Sequence, residues 1–206
     1  GSGCIALFEK FNMPPEKTIK EYFKQGADIV MFSGDKLLGG PQCGIIAGKK
    51  KYIDMIKSNP LYRALRVDKF TFSLLESTLR TYISDTNFDD KNLSLNLLTR
   101  NREDLQSMGL KVLKNIPSQL IKKYGIKLID TMVEAGSGAM PINSLESIGI
   151  TFNKKNISPN SISKKFRMAS TPIIGYINDN QYVIDLKAIP EDCTKNVTEI
   201  ICEILK

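Results

Sequence analysis

The sequence predicts an α/β fold built in two parts. In the first part, short apolar stretches typical of buried strands alternate with segments whose apolar residues recur every three or four positions, as on one face of a helix. From about residue 126 the pattern changes to short strands, a hairpin and helices, which indicates a small α+β domain. We therefore expect one domain portion over residues 1–98, a connecting helix over 99–125 and the small domain over 126–206.

The first strands are predicted around a glycine-rich turn. A helix is expected to begin after Pro14 and to end at Gly26. The almost wholly apolar residues 27–32 then predict a buried strand. The turn, 33–42, separates it from a second strand over 43–48, which is too apolar to alternate and is expected to be covered on both faces.

Two helices and a basic segment are predicted next. A basic helix over 49–59 is expected to end at Asn59-Pro60, and a compact basic segment over 61–69 follows it. The helix after this segment is predicted from the apolar stripe Phe72, Leu75, Leu79 and Ile83. The polar residues 84–92 are expected to form an exposed loop.

The connecting segment has one continuous helical pattern. Its stripe consists of Leu105, Met108, Val112, Ile116 and Leu120. Thr99 is expected to cap this helix, Pro117 to kink it and Gly125 to end it.

The small domain is predicted from shorter signals. Strands are expected over 127–133 and 148–152, and a helix over 158–167. A hairpin is expected over 172–186, because three residues that tolerate left-handed backbone, Asn178, Asp179 and Asn180, separate its two apolar strands. A terminal helix over 190–205 completes the domain.

Composition excludes several kinds of chemistry. Histidine is absent from the 206 residues, which removes the commonest general base and the usual metal ligand. The cysteines lack metal-site spacing, so we predict no metal site and reduced, mostly buried thiols at Cys4, Cys43, Cys193 and Cys202. Any chemistry must therefore use lysine, carboxylates, tyrosine or a bound cofactor.

Charge and hydropathy indicate the setting. Lysine and arginine outnumber the acidic residues by 29 to 22, which gives a net charge of +7. This excess favours an anionic partner, although lysines scattered over solvated faces explain it equally well. The chain has no apolar run of 18 residues and does not open like a secretion signal, so the sequence predicts a cytoplasmic protein without a membrane span.

Lys36 is the leading candidate for a catalytic residue. It follows an apolar strand and precedes a glycine-rich turn, a position that predicts a desolvated amine able to form a Schiff base. Without further information, a surface pair with Asp35 is the commoner arrangement for such a lysine. Gly39 and Gly40 form a turn, and closely spaced glycines also let backbone N–H groups approach an anion.

Arg63 and Arg66 are candidates for binding an anion. If their segment is helical, the spacing of three residues places both guanidinium groups on one side, where they suit a phosphate-like anion. Taken alone, such arginines are more often solvated charges.

Several runs of residues together resemble one family. They are 32–42, 44–46, 63–69, 136–141 and 172–175. In this order they are similar to the C-terminal half of the bacterial selenocysteine synthases, the L-seryl-tRNA(Sec) selenium transferases. The resemblance extends over essentially the whole chain.

The resemblance implies a fold-type-I enzyme that depends on pyridoxal 5'-phosphate. Residues 1–98 would then be the C-terminal portion of its cofactor-binding large domain. Lys36 would hold the cofactor and remove the Cα proton of the seryl group, Asp35 would be its acidic neighbour, and Arg63 and Arg66 would bind selenophosphate. The implied reaction converts seryl-tRNA(Sec) to selenocysteinyl-tRNA(Sec), in a homo-oligomer formed as a ring of dimers.

The chain also differs from the family's pattern. The family's tRNA-binding domain, its first cofactor-domain strands and an aspartate that pairs with the pyridine nitrogen are not in this sequence. We therefore expect the chain alone to be inactive, and poorly soluble because its strands lack parallel partners. Tyr176 and Lys187 stand where relatives often have arginine, and Cys43 where alanine is common.

Two other functions remain open at this point. One is a different fold-type-I pyridoxal phosphate enzyme, a lyase or desulfurase that acts on a free amino acid. Such an enzyme would use a carboxylate-binding arginine in the small domain. Arg167 is the one arginine that the sequence has within residues 126–206. The other is a noncatalytic fragment that binds RNA or a partner chain through its basic faces.

Overall fold

The protein has a mixed α/β architecture with two sheets. The computed structural model describes residues 1–11, 13–84, 91–135, 144–154 and 156–206. The chain divides into two compact units. The first comprises residues 1–99 and 134–144, and the second comprises residues 100–133 and 145–206.

The first unit contains a two-stranded sheet. Strands β1 (Ile29–Ser33) and β2 (Gly44–Gly48) pair antiparallel. On the other side of β1, the terminal amine of Gly1 donates to the Met31 carbonyl (2.8 Å) and the Ser33 N–H donates to the Gly1 carbonyl (3.2 Å). This pattern of hydrogen bonds is a parallel bridge. β1 therefore has an antiparallel neighbour on one side and a short parallel one on the other.

The prediction that the second strand is covered on both faces is wrong for this structure. Ile46 in β2 is 44% exposed, and its partner Met31 in β1 is also exposed. The two side chains lie on one face of the hairpin, because directly paired residues of adjacent strands point the same way. Among the described residues, no element covers this face closely enough to bury them.

The helices of the first unit begin where capping residues allow. Their bounds are α1 (Ile19–Lys24), α2 (Lys50–Ser58), α3 (Pro60–Leu65), α4 (Lys69–Ser84) and α5 (Leu93–Thr99). α1 starts later than the prolines predicted, because Thr18 and Glu21 form a capping box at its start. The break at Asn59-Pro60 is confirmed, and Asn59 caps a new helix there, which covers the first part of the predicted basic segment.

The apolar stripe predicted for α4 is not buried. Phe72 is 65% and Ile83 is 86% exposed, and Leu79 is also exposed. The helix itself forms as predicted, because the periodicity of its apolar residues favours a helix wherever the stripe faces. In the part of the chain that the structure describes, nothing packs over this stripe well enough to remove it from water.

The predicted long connecting helix is two separate helices. They are α6 (Arg102–Lys114) and α7 (Ser118–Tyr124), and both lie in the second unit. Asn101 accepts a hydrogen bond from the Asp104 N–H (2.8 Å) and starts α6, so Thr99 ends α5 instead of capping this helix. Pro117 starts α7 because it lacks the N–H that would continue the preceding helix. The predicted stripe is buried throughout, from Leu105 to Leu120.

The second unit is a four-stranded sheet covered by helices. The strands are β3 (Lys127–Glu134), β4 (Ser144–Phe152), β5 (Tyr176–Asn178) and β6 (Gln181–Asp185), in the spatial order β3-β4-β6-β5. The predicted hairpin is confirmed, with Asp179 and Asn180 at positive φ. Helices α8 (Pro159–Arg167) and α9 (Thr194–Leu205) contribute to the core with α6 and α7. At its centre the rings of Phe152, Phe166 and Tyr182 lie 5.0–6.0 Å apart.

The described residues include neither a membrane-spanning helix nor a metal-binding cluster. None of the helices in the described ranges is long and apolar enough to cross a membrane. The same ranges contain no group of three or more acidic or cysteine side chains arranged to hold a metal ion. The motif at 136–141 that resembles the family lies outside the described residues.

Candidate active site at the Lys36 turn

The loop between β1 and β2 is a closed structure, here called the Lys36 turn (residues 34–43). The Gly34 N–H donates to the Cys43 carbonyl (2.9 Å), and the Gly40 N–H donates back to the Gly34 carbonyl (2.7 Å). Inside the loop, the Gly39 N–H donates to the Lys36 carbonyl (2.8 Å), which makes residues 36–39 a tight turn. These bonds hold the backbone that carries Lys36 at the carboxyl end of β1.

Two leucines anchor the Lys36 turn and leave two polar residues outside. Leu37 and Leu38 are fully buried, and the Leu37 N–H donates to the Ser2 carbonyl (3.1 Å). Asp35 is exposed and Lys36 is half-buried. The burial of Lys36 is therefore only partial in this structure, because the burial of the leucines directs the residues before them toward the surface.

A pair of side chains from distant parts of the first unit binds the Leu38 carbonyl. The Tyr82 hydroxyl donates to it at 2.9 Å, and the Asn92 Nδ2 donates to it at 3.0 Å. Burial, with a smaller contribution from Cys4, raises the pKa of Tyr82, so its hydroxyl stays a donor at neutral pH. Asn92 also accepts the Leu95 N–H (3.3 Å) at the start of α5.

Sequence reasoning missed both Tyr82 and Asn92. The signal for Asn92 is its position just ahead of the apolar residues of α5, where asparagine is a favoured helix cap. No comparable signal exists for Tyr82, because its partner carbonyl is 44 residues away in the sequence.

Gly39 and Gly40 do not form an anion cradle. Their N–H groups donate to the carbonyls of Lys36 and Gly34 within the turn, and neither is left to bind an anion. Gly39 has a φ of 70°, and a Cβ there would collide with the side chain of Asn92. These glycines are needed for the turn itself.

The surroundings of the two thiols in the first unit keep them protonated and therefore unreactive. All four cysteines are free, and Cys4 and Cys43 are buried, as predicted. Burial and the charge of Glu16 raise the pKa of Cys4 to about 12. Burial, then the charge of Asp35, raises the pKa of Cys43. Cys43 therefore stays a neutral thiol beside the Lys36 turn and contributes packing to it.

Arg63 and Arg66 do not share one helical face. Arg63 lies in the last turn of α3, but Arg66 follows the helix with an extended backbone (φ −67°, ψ 142°). The two arginines therefore do not have the expected helical spacing, because only Arg63 lies within the helix. Both are exposed, and the residues around them include Leu65, which is 79% exposed, and Phe70, which is 85% exposed.

The start of α4, three residues after Arg66, lies far from the Lys36 turn of the same copy. Tyr82 contacts the turn near the end of α4, and Lys69 begins that helix 13 residues earlier, about 20 Å away at about 1.5 Å per residue. The direction of β2 is consistent with this separation, because the strand begins beside the Lys36 turn and runs away from it to Gly48. There Lys49 forms an ion pair with Asp28 (2.5 Å) just ahead of β1.

A buried polar cluster in the second unit involves Tyr176, Asp185 and Lys187. Asp185 in β6 accepts hydrogen bonds from one residue on each of the other three strands, namely Thr131, Ser147 and Tyr176. The Lys187 amine donates to the Arg100 carbonyl (2.8 Å), and burial lowers the pKa of Lys187. Tyr176 and Lys187 thus hold elements of the second unit together.

Comparisons with known proteins all point to one family. Residues 1–190 match the family described as SelA: L-seryl-tRNA selenium transferase. The chain is 36% identical to the L-seryl-tRNA(Sec) selenium transferase of Desulfotalea psychrophila, over 93% of this chain and 41% of the relative. It is 36% identical to the enzyme of the same name from Alkaliphilus oremlandii (100% and 44%) and 33% identical to that of Geobacter sulfurreducens (99% and 44%). The chain spans less than half the length of these curated relatives.

Proposed function

Because the chain belongs to the L-seryl-tRNA selenium transferase family, we propose that it carries part of the active site that converts L-seryl-tRNA(Sec) to L-selenocysteinyl-tRNA(Sec), with selenophosphate as the selenium donor. The observation that carries this proposal is the placement of Lys36, which a closed turn with a buried base holds at the carboxyl end of β1. Residues 1–98 then belong to a fold-type-I large domain and residues 126–206 to its small domain.

The residues of the Lys36 turn fit pyridoxal 5'-phosphate as a cofactor. In α/β enzymes, ligands bind at the carboxyl ends of parallel strands. Gly1 and β1 form a parallel bridge, and the Ser2 carbonyl accepts the Leu37 N–H, so both segments leave the sheet at the edge where Lys36 lies. Lys36 supplies the primary amine that would hold the cofactor aldehyde. When bound, the cofactor supplies an electron sink for the Cα of the seryl group.

The protein's own residues divide the remaining work. The Nζ of Lys36 takes the proton from the Cα of the seryl group and returns it at the end of the reaction. The exposed carboxylate of Asp35 lies next to Lys36 in the sequence and is the acidic neighbour of the catalytic amine. Arg63 and Arg66 bind the selenophosphate anion through charge-assisted, paired hydrogen bonds.

A second copy of the chain brings the arginines to the lysine. About 20 Å separates the start of α4, three residues after Arg66, from its contact with the Lys36 turn, which favours a site shared between two copies. Protein interfaces favour the aromatic ones among the residues beside the arginines, which are apolar and exposed: Leu61, Tyr62, Leu65, Phe70 and Phe72. We therefore place Arg63 and Arg66 of one copy in the active site that contains Lys36 of another.

Lys36→Ala tests the assignment of the catalytic lysine. The protein is expressed from its complete reading frame, loaded with pyridoxal 5'-phosphate and treated with borohydride. Peptide mapping is expected to find the pyridoxyl group on Lys36, and Lys36→Ala is expected to lose the group and the conversion of seryl-tRNA(Sec). Lys49→Ala is the control, because Lys49 is a surface lysine paired with Asp28 at the other end of the hairpin. A pyridoxyl group on another lysine contradicts the assignment.

The same experiment separates the enzyme from a noncatalytic binder. A protein that only binds RNA through its basic faces takes up no reducible cofactor, and it retains RNA binding in Lys36→Ala. An enzyme of the family loses conversion in that variant whether or not tRNA binding persists.

A further inference from the structure

We propose that Tyr82 and Asn92 are positioning residues, which orient Lys36 by clamping the Leu38 carbonyl. This inference rests on the function proposed above, because it assumes that the Lys36 amine reacts. The clamp itself is a contact between three parts of the first unit: the end of α4, the residue before α5 and the Lys36 turn.

The clamped carbonyl is the one that controls the geometry of the turn. Lys36 and Gly39 are the first and last residues of a four-residue turn, closed by the bond from the Gly39 N–H to the Lys36 carbonyl. Leu38 is the third residue, so its carbonyl fixes the plane of the peptide that leads into the left-handed Gly39. The Gly39 N–H lies in the same peptide plane, so rotation of this plane would turn that N–H away from the Lys36 carbonyl and open the turn that carries Lys36.

Burial alone does not explain this arrangement. The leucine side chains hold the turn against the interior, but apolar contacts are not directional. Two hydrogen bonds that converge on one buried oxygen specify its direction as well as its depth. The Tyr82 hydroxyl also lies 3.4 Å from the Leu37 carbonyl, so it restrains two successive peptides of the turn.

Asn92 offers a variant that separates positioning from folding. Its Oδ1 accepts the Leu95 N–H and caps α5, whereas its Nδ2 donates to the Leu38 carbonyl. Asn92→Asp keeps an oxygen for the cap and replaces the donor with a second oxygen, which repels the carbonyl. Tyr82→Phe removes the other donor and keeps the ring.

Each variant has a matched control elsewhere in the chain. Asn101 also caps a helix through its side-chain oxygen, so Asn101→Asp makes the same chemical change away from the Lys36 turn. Tyr182 is fully buried and donates its hydroxyl to the Ile173 carbonyl (3.1 Å), so Tyr182→Phe makes the same deletion in the second unit.

The test compares these four variants in protein expressed from the complete reading frame. In the cofactor-free protein, two readouts are measured: the rate at which an amine-reactive reagent modifies Lys36, and hydrogen exchange of the Gly39 and Gly40 amides. In the loaded protein, kcat and KM for seryl-tRNA(Sec) conversion are measured. A small misplacement of a reacting group lowers the rate up to about 100-fold, so we expect Asn92→Asp and Tyr82→Phe to lower kcat by about 10–100-fold. We expect KM to stay within about twofold.

The outcomes are distinct. Support requires a changed Lys36 labelling rate and faster exchange of the turn amides in both clamp variants, with urea midpoints like those of the controls. Equal kcat and labelling in clamp and control variants overturns the proposal, as does a loss of kcat that follows the loss of folding. If Asn92→Asp does not fold, Tyr82→Phe decides the question. If Lys36→Ala retains activity, the proposed function fails, and the labelling and exchange readouts still decide whether the clamp orients this lysine.

Discussion

Lys36 owes its placement to the two residues that follow it. Leu37 and Leu38 are removed from water, and their burial fixes a loop whose other residues are small or polar. Asp35 and Lys36 then face outward without any contact that would hold them in a surface ion pair among those that the structure describes. The loop therefore presents the proposed catalytic amine on a backbone that is held by hydrogen bonds and buried leucines.

Cys4 gives a prediction on the pH dependence of stability. Its thiol ionises at about 12 in the folded protein, because of burial and then Glu16, against an ordinary pKa of 9.0. The protonated thiol thus stabilises the fold fully below pH 9, and this contribution is lost as the pH rises from 9 to about 12. We expect Cys4→Ala to make the fall of Tm over this range shallower. Cys202→Ala is the control, and parallel curves for wild type and Cys4→Ala contradict the prediction.

Helix boundaries in this chain depend on capping residues more than on apolar periodicity. The stripe from Leu105 to Leu120 is continuous, yet the chain leaves and re-enters the helix between Lys114 and Ser118. Asn101 and Pro117 provide the starts, and the apolar side chains still reach one core. Periodicity thus predicts which side chains are buried and does not predict where the backbone breaks.

Asn101→Ala tests the cap of α6. The loss of the hydrogen bond to the Asp104 N–H is expected to lower the free energy of unfolding by about 1 kcal/mol, a typical value for such a cap. Urea denaturation measures the change, and Asn101→Ser, which keeps a capping oxygen, is expected to recover most of it. Equal midpoints for the alanine and serine variants would show that the cap does not stabilise α6.

At the scale of the whole molecule, we propose that the two candidate parts of the active site meet in an oligomer. Mixed oligomers test this, because a dimer of Lys36→Ala and Arg66→Ala copies contains one site with both defects and one intact site if the arginine acts across the interface. We expect such mixed dimers, isolated through two different tags, to recover up to about half of the wild-type activity, while each variant alone is inactive. Mixed dimers without activity contradict the arrangement and place Arg66 in the site of its own copy.

Local patterns in the sequence were sufficient for several elements, though not for the break in the connecting helix, and for the position of Lys36 at a strand end. The hairpin around Asp179 and Asn180, the buried stripe from Leu105 to Leu120 and the position of Lys36 at a strand end all follow from neighbouring residues, because backbone preference and periodicity are local properties. The partners of the Leu38 carbonyl lie 44 and 54 residues away, and no local pattern links them to it. The same holds for the distance between Arg66 and the Lys36 turn and for the exposure of the α4 stripe. All of these features depend on how the elements pack. The last residues of α4 contact the Lys36 turn, and its first residue therefore lies a helix length away from the turn.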